Sequence, residues 1–263
     1  MFLGDVVETN SQYKFVVLLI TVMQNSSSRL CTGVVVGRDK VLTAAHCFVE
    51  SRTEVFFENS VNLYIYLFEK KMMHKKVKRV YIHPFYLPSV ENDVAVVQTA
   101  DMLEIEYPPM ANSSRGDAKK NCLLAGFGLR YPEGLKAKMV LATIKADLLR
   151  SIDCARITEN MEHAMCLLVV QGESAPCVGD SGGPIICNGM TTGILSRGLV
   201  IGNGCGKVVF AVMIYEDVYT HQVWLSRVLK VDEEVQKSNA ERESCHILAV
   251  LLMIVILNKL FRD

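Results

Sequence analysis

Short runs of apolar, β-branched residues recur along the chain between turn signals. They are FVVLLITV (15–22), TGVVVG (32–37), VNLYIYLF (61–68), VKRVYI (77–82), DVAVVQ (93–98), CLLAGFG (122–128), MVLATIKA (139–146), GPIIC (183–187) and TGILS (192–196). Most are four to eight residues long, the length of a strand, and long amphipathic helical patterns between them are scarce. The pattern predicts an all-β fold, either a sandwich or a barrel. No internal repeat is visible. One helix is expected over about 218–237, where VWLSRVLKVDEEVQK spaces apolar residues by three and four. The expected organisation is an N-terminal stub (1–5), a globular domain (6–237), and a polar spacer with an apolar tail (238–263).

Both ends of the chain need separate reading. MFLGDVVETNSQYK (1–14) has no apolar start, so no ordinary signal peptide is expected to open at Met1. FVVLLITVM (15–23) could pass for a short signal core; a buried strand is the expectation. In the tail, ILAVLLMIVIL (247–257) has 11 residues, and a spanning helix needs roughly 20. Small residues from Ser238 to Ala240, a polar spacer and the apolar run resemble a GPI-anchor signal. The polar ending NKLFRD (258–263) argues against it. Membrane attachment through the tail and a processed or docked tail both stay open.

Composition narrows the class. The 263 residues allow one large domain or two small ones, and half are apolar, enough for a sizeable core. Lys plus Arg and Asp plus Glu number 28 each, so net charge gives no reason to expect nucleic acid or an acidic membrane surface. Of nine cysteines, eight lie between Cys31 and Cys205 while Cys245 stands apart. That distribution suggests disulfides, an oxidising compartment and a secreted chain. Cys245 could be lipidated, paired with another chain, or free. The acceptor triplets at Asn25 and Asn112 fit secretion but add little.

CVGDSGGP (177–184) sets Ser181 between Asp180 and two glycines. A serine hydroxyl is a poor nucleophile at neutral pH and needs a base, oriented by a third group. LTAAHC (42–47) supplies His46, and ENDVAVV (91–97) supplies Asp93 at the head of an apolar strand. The Gly179–Asp180–Ser181 turn offers the amides of Gly179 and Ser181 to an oxyanion. GDSGG also satisfies the G-x-S-x-G elbow of α/β-hydrolases, which requires the order Ser, acid, His. Here the order is His46, Asp93, Ser181.

That order, with TAAHC and GDSGGP in full, resembles the chymotrypsin-like, trypsin-fold serine proteases over roughly residues 6–230. The resemblance implies two six-stranded antiparallel β-barrels with a C-terminal helix. It implies a secretory-pathway serine endopeptidase acting on protein or peptide substrates, with no cofactor or metal. His46 would be general base and acid, Asp93 its orienter, and Ser181 the nucleophile. It pairs Cys31 with Cys47, Cys122 with Cys187, Cys154 with Cys166, and Cys177 with Cys205. YIHPFY (81–86) and CLLAGFG also resemble family signatures, with Phe127 where a Trp is usual.

By the same resemblance Ala175 lies at the floor of the primary pocket, where trypsin-like members carry Asp. Ser196 and Gly198 line one side. Ala211 is assigned to another wall by its distance from Cys205; a second register would put Asp217 there instead. Small, neutral residues suggest an apolar P1 side chain. Arg197 replaces a usual aromatic, and LVIGN (199–203) lengthens the loop before Cys205. The basic run EKKMMHKKVKR (69–79) falls where some members bind calcium; with Glu69 its only acid, no calcium is expected. It is expected to be a solvated hairpin edge, with a surface for an acidic partner as the alternative.

Family members are usually activated when a freed α-ammonium pairs with the Asp before the serine, here Asp180. Counting back from Cys31 matches VVET (6–9) to the freed terminus, with Asp5 where Arg or Lys is expected. Glu8 and Thr9 replace two glycines. Asp180 is therefore expected to lack an ammonium partner, and the chain as written to hydrolyse peptides very poorly. A non-catalytic or zymogen-locked homologue, acting as a binding or regulatory protein, is the alternative to an enzyme.

Overall fold

The strand Val16–Val22 divides its side chains by parity. Val17 and Leu19 enter one core cluster, and Val16 and Leu18 enter another. A strand buried on both faces has no use for polar alternation, so the run is apolar from Val16 to Ile20. Ala142, Ile144, Ala146 and Leu148 show the same period of two on one face of their strand, all in a third cluster.

The computed structural model describes residues 1–7, 12–23, 26–49, 61–66, 72–88, 91–113, 119–130, 140–157, 165–169, 174–201 and 210–230. The strands are β1 (Asp5–Val6), β2 (Val16–Val22), β3 (Ser28–Gly37), β4 (Lys40–Thr43), β5 (Val61–Tyr66), β6 (Met72–Ile82) and β7 (Ala95–Thr99). They continue with β8 (Lys119–Gly126), β9 (Ala142–Leu148), β10 (Met165–Val169), β11 (Pro184–Cys187), β12 (Met190–Ile201) and β13 (Phe210–Asp217). A short helix, α1, spans Ser151–Ile157, and a C-terminal helix, α2, covers 222–230.

β2–β3–β4–β7–β6–β5 close into one six-stranded antiparallel barrel, with β5 returning to β2. β8–β9–β10–β13–β12–β11 close into a second, with β11 returning to β8. The two-residue β1 attaches to β9. Both barrels lie in one compact unit, Met1–Gln222; α2 runs on into a second, Val223–Asp263. Between the barrels, Val16 and Leu18 of β2 share a cluster with Ala125, Phe127 and Leu141. Phe127 is 1% exposed, so an aromatic without a polar handle fills this seam.

Three disulfides join described residues: Cys31–Cys47, Cys122–Cys187 and Cys154–Cys166. Cys177 is also disulfide-bonded; its expected partner Cys205 lies outside the described residues. So do Glu8, Thr9, Cys245 and the apolar tail.

One expectation about elements is corrected. The stub is no stub: Met1 and Phe2 are buried, and Asp5–Val6 pair with β9. The described part of the basic run lies in β6, whose first half forms a hairpin with β5. Residues 72–76 pair with β5 and 77–82 pair with β7, so the strand changes partner along its length as the barrel closes. Its charge points outward all the same, with His74, Lys76, Lys78 and Arg79 exposed.

Candidate active site

β4 delivers His46. After Thr43 the chain passes through extended Ala44 into a 3₁₀ turn, Ala45–Cys47. The Cys31–Cys47 disulfide ties that turn to β3. Asp93 stands just ahead of β7 and is 3% exposed. Its Oδ2 lies 2.7 Å from His46 Nδ1, and its Oδ1 accepts the His46 amide at 2.9 Å. The Ser196 hydroxyl donates to the same Oδ2 at 2.6 Å. With Nδ1 donating to the carboxylate, the neutral imidazole keeps its lone pair on Nε2. Burial alone would raise the Asp93 carboxyl. The hydrogen bond and charge of His46, then the Ser196 hydroxyl and the His46 amide, outweigh it and hold the group below its ordinary value.

Behind Asp93 stands a second acid–imidazole pair. Glu216 Oε1 accepts the Asp93 amide at 2.9 Å, and Glu216 Oε2 lies 2.8 Å from His221 Nε2. The His83 ring meets His221 edge-on at 5.1 Å. Burial first, and the neighbouring His221 second, lower the His83 pKa from 6.5 to about 4, with Glu216 opposing them.

Ser181 sits in a turn whose geometry depends on glycine. Gly179 has φ +98° and Gly182 φ +77°, where an L side chain is strained. Asp180 is fully buried. Its Oδ1 accepts the Gly128 amide at 2.7 Å and its Oδ2 the Cys177 amide at 2.8 Å. A Cβ on Gly128 would collide with this carboxylate, so only glycine permits the approach.

Asp180 also has an ammonium partner. The α-ammonium of Met1 lies 2.7 Å from Asp180 Oδ2, both groups with no exposure, and donates to the Gly128 carbonyl at 2.9 Å. This overturns the expectation that Asp180 stands unpaired. The count back from Cys31 chose Val6, which is instead paired with Ala142 and 37% exposed. Counting assumes a fixed span before Cys31, and here the span is five residues longer. Phe2 exchanges backbone hydrogen bonds with Ala175 at 2.8 and 3.2 Å, and Ser174 Oγ donates to the Leu3 carbonyl at 2.8 Å. These contacts seat residues 1–4 beside the serine turn.

The pocket residues are only partly brought together. Ala175 is fully buried, in one apolar cluster with Met1, Met213 and Tyr215. Ser196 is turned to Asp93, as described. Gly198 and Ala211, expected as two walls, are not opposed: Gly198 pairs with Met213, while Ala211 pairs with Val200. The Ala211 side chain lies outside the described residues. Asp217 pairs with Gly193, and its carboxylate accepts from Tyr219 and Thr220 in the turn after β13, both at 3.3 Å. Sequence reasoning also missed Glu216, His221 and Thr32; no motif marks them, because they reach the site only through barrel closure.

A double antiparallel barrel that brings an acid–histidine pair and a glycine-bounded GDSGG turn into one unit defines the trypsin-fold class of serine proteases. The chain belongs to the trypsin family: the family model Trypsin matches residues 7–224. The chain is similar to trypsin II-P29 of Gallus gallus, 31% identical over 206 residues, covering 74% of this chain and 76% of that one. It is also similar to kallikrein 1-related peptidase b1 of Mus musculus, 27% identical, covering 68% and 72%. In fold it resembles mouse neuropsin, described as a serine protease expressed in the limbic system, with TM-score 0.68 and 21% identity, covering 87% of this chain and all of that one.

Proposed function

We propose that the chain is a serine endopeptidase. The observation that supports this most is the His46–Asp93 pair, tied through Cys47–Cys31 and Thr32 to the Ser181 backbone. Ser181 Oγ attacks the scissile carbonyl while His46 Nε2 takes its proton and then returns it to the leaving amine. Asp93 keeps Nδ1 protonated and stabilises the imidazolium. The amides of Gly179 and Ser181 hold the oxyanion. The similarity to a trypsin and to a kallikrein-related peptidase favours an enzyme over the zymogen-locked alternative.

The primary pocket accepts an apolar P1 side chain. Ala175 supplies no charge, and buried Met213 opposite Gly198 adds apolar surface. Three disulfides favour a secretory compartment. Among the described residues no helix is long and apolar enough to cross a membrane. The exposed basic residues of β6 offer a surface to an acidic partner.

A fluorophosphonate probe tests the nucleophile. Labelling of the full chain should map to Ser181 and vanish in Ser181→Ala with the fold intact. Labelling that survives the substitution places the nucleophile elsewhere.

A further inference from the structure

We infer that Thr32 is a positioning residue for both oxyanion donors, an inference that rests on the proteolytic reading above. Thr32 follows Cys31 in β3 and is fully buried. Its amide donates to the Ser181 carbonyl at 2.8 Å. Its hydroxyl donates to the Gly179 carbonyl at 2.8 Å and accepts the Phe127 amide at 3.0 Å. Its own carbonyl accepts the Thr43 hydroxyl at 2.7 Å. One residue of the first barrel thus holds the carbonyls of Gly179 and Ser181, the two residues whose amides face a developing oxyanion.

The consequence follows from peptide geometry. A residue's amide is coplanar with the preceding carbonyl, so the Gly179 amide turns with the Val178 carbonyl, which accepts the Leu129 amide at 2.9 Å, while the Thr32 hydroxyl holds the next peptide unit through the Gly179 carbonyl. Gly179, at φ +98° and without a Cβ, has the most freedom to rotate its amide away. With the peptide units on both sides of Gly179 held, its rotation is restrained; the Ser181 amide turns with the Asp180 carbonyl, which accepts the Gly183 amide at 2.9 Å, and the Thr32 amide holds the unit that follows. Thr43 in turn fixes Thr32, and a Cβ on Gly182 would collide with both the Thr43 hydroxyl and the Thr32 carbonyl, so the turn has no slack. The hydroxyl also links β3 to Phe127, the residue just after β8, so one oxygen joins both barrels and the serine turn.

Isosteric Thr32→Val removes the hydroxyl that donates to the Gly179 carbonyl and accepts the Phe127 amide. Thr32→Ser keeps it. In the full chain, Thr32→Val should lower kcat for a peptide substrate by about 10- to 100-fold with KM changed by less than about twofold, a milder loss than deleting a donor. Thr32→Ser should recover most of kcat. Thr32→Ala removes the same hydroxyl with less bulk and serves if the Val variant does not fold. Hydrogen exchange over residues 177–183, measured in a Ser181→Ala background, should quicken with Val and not with Ser.

Equal kcat for parent and Val, or a Ser variant as impaired as Val, overturns the inference. If the parent turns over no peptide, the proteolytic reading fails, and exchange alone decides on Thr32. Unchanged protection of the turn in Thr32→Val then overturns it.

Discussion

Met213 limits the depth of the primary pocket on this reading. It is 1% exposed, faces Gly198 across the β12–β13 ladder, and shares a cluster with Ala175. Met213→Gly should therefore shift P1 preference from aliphatic toward aromatic side chains, raising kcat/KM for Phe over Leu by roughly tenfold, the scale of a few methylenes in a hydrophobic pocket. A peptide library read by mass spectrometry checks this; an unchanged Phe/Leu ratio removes Met213 from the pocket. Residue-scale legibility in the sequence was uneven. His46, Asp93 and Ser181 carry motifs because their neighbours are chemically constrained: Cys47 by its bridge, Gly179 and Gly182 by positive φ. Met213 carries none. It is one more apolar residue in a strand, and only pairing identifies its neighbour.

At the scale of elements, the first four residues act as a plug. Met1 inserts its ammonium beside Asp180, and Phe2 bridges to Ala175. Breaking a buried ion pair by removing one partner costs about 3–5 kcal/mol. For the chain that starts at Met1, acetylating the α-amine should release the serine turn, lowering kcat/KM by about 100- to 1,000-fold, the effect of losing one oxyanion donor. It should also lower Tm. Parallel turnover and thermal unfolding of free and acetylated protein test this; equal turnover in both denies the plug its role. The nine apolar runs each overlap a strand, whereas β1, β4, β10 and β13 were not foreseen. β4, Lys-Val-Leu-Thr, is four residues long and wholly buried, too short to show a period and opened by a lysine that pairs with Asp39. The plug was missed because MFLG carries no pattern of its own until Asp180 is in place to receive it.

Across the whole molecule, the buried histidine at position 83 makes the fold acid-sensitive. Its pKa of about 4 lies below the ordinary 6.5, chiefly through burial. Between those values the unfolded chain binds a proton that the folded chain refuses, so stability falls as pH drops through that window. Asp93 adds to this at lower pH: its depressed carboxyl stabilises the fold above the ordinary carboxylate range, and that contribution is lost as pH falls through the folded value. His83→Asn should lose less Tm than the parent between pH 6.5 and pH 4. Calorimetric curves that stay parallel over the window would assign the acid sensitivity to other groups.

Both barrels contribute to one reaction on this reading, and peptide hydrolysis tests it most directly. The full chain and Ser181→Ala are incubated with a peptide library, and cleavage is followed by mass spectrometry. The expected result is cleavage after apolar residues by the parent, reduced by about 10⁶-fold in the variant, as loss of a triad nucleophile requires. A parent that carries the Met1–Asp180 pair yet cleaves nothing, or a variant that cleaves as fast as the parent, contradicts it.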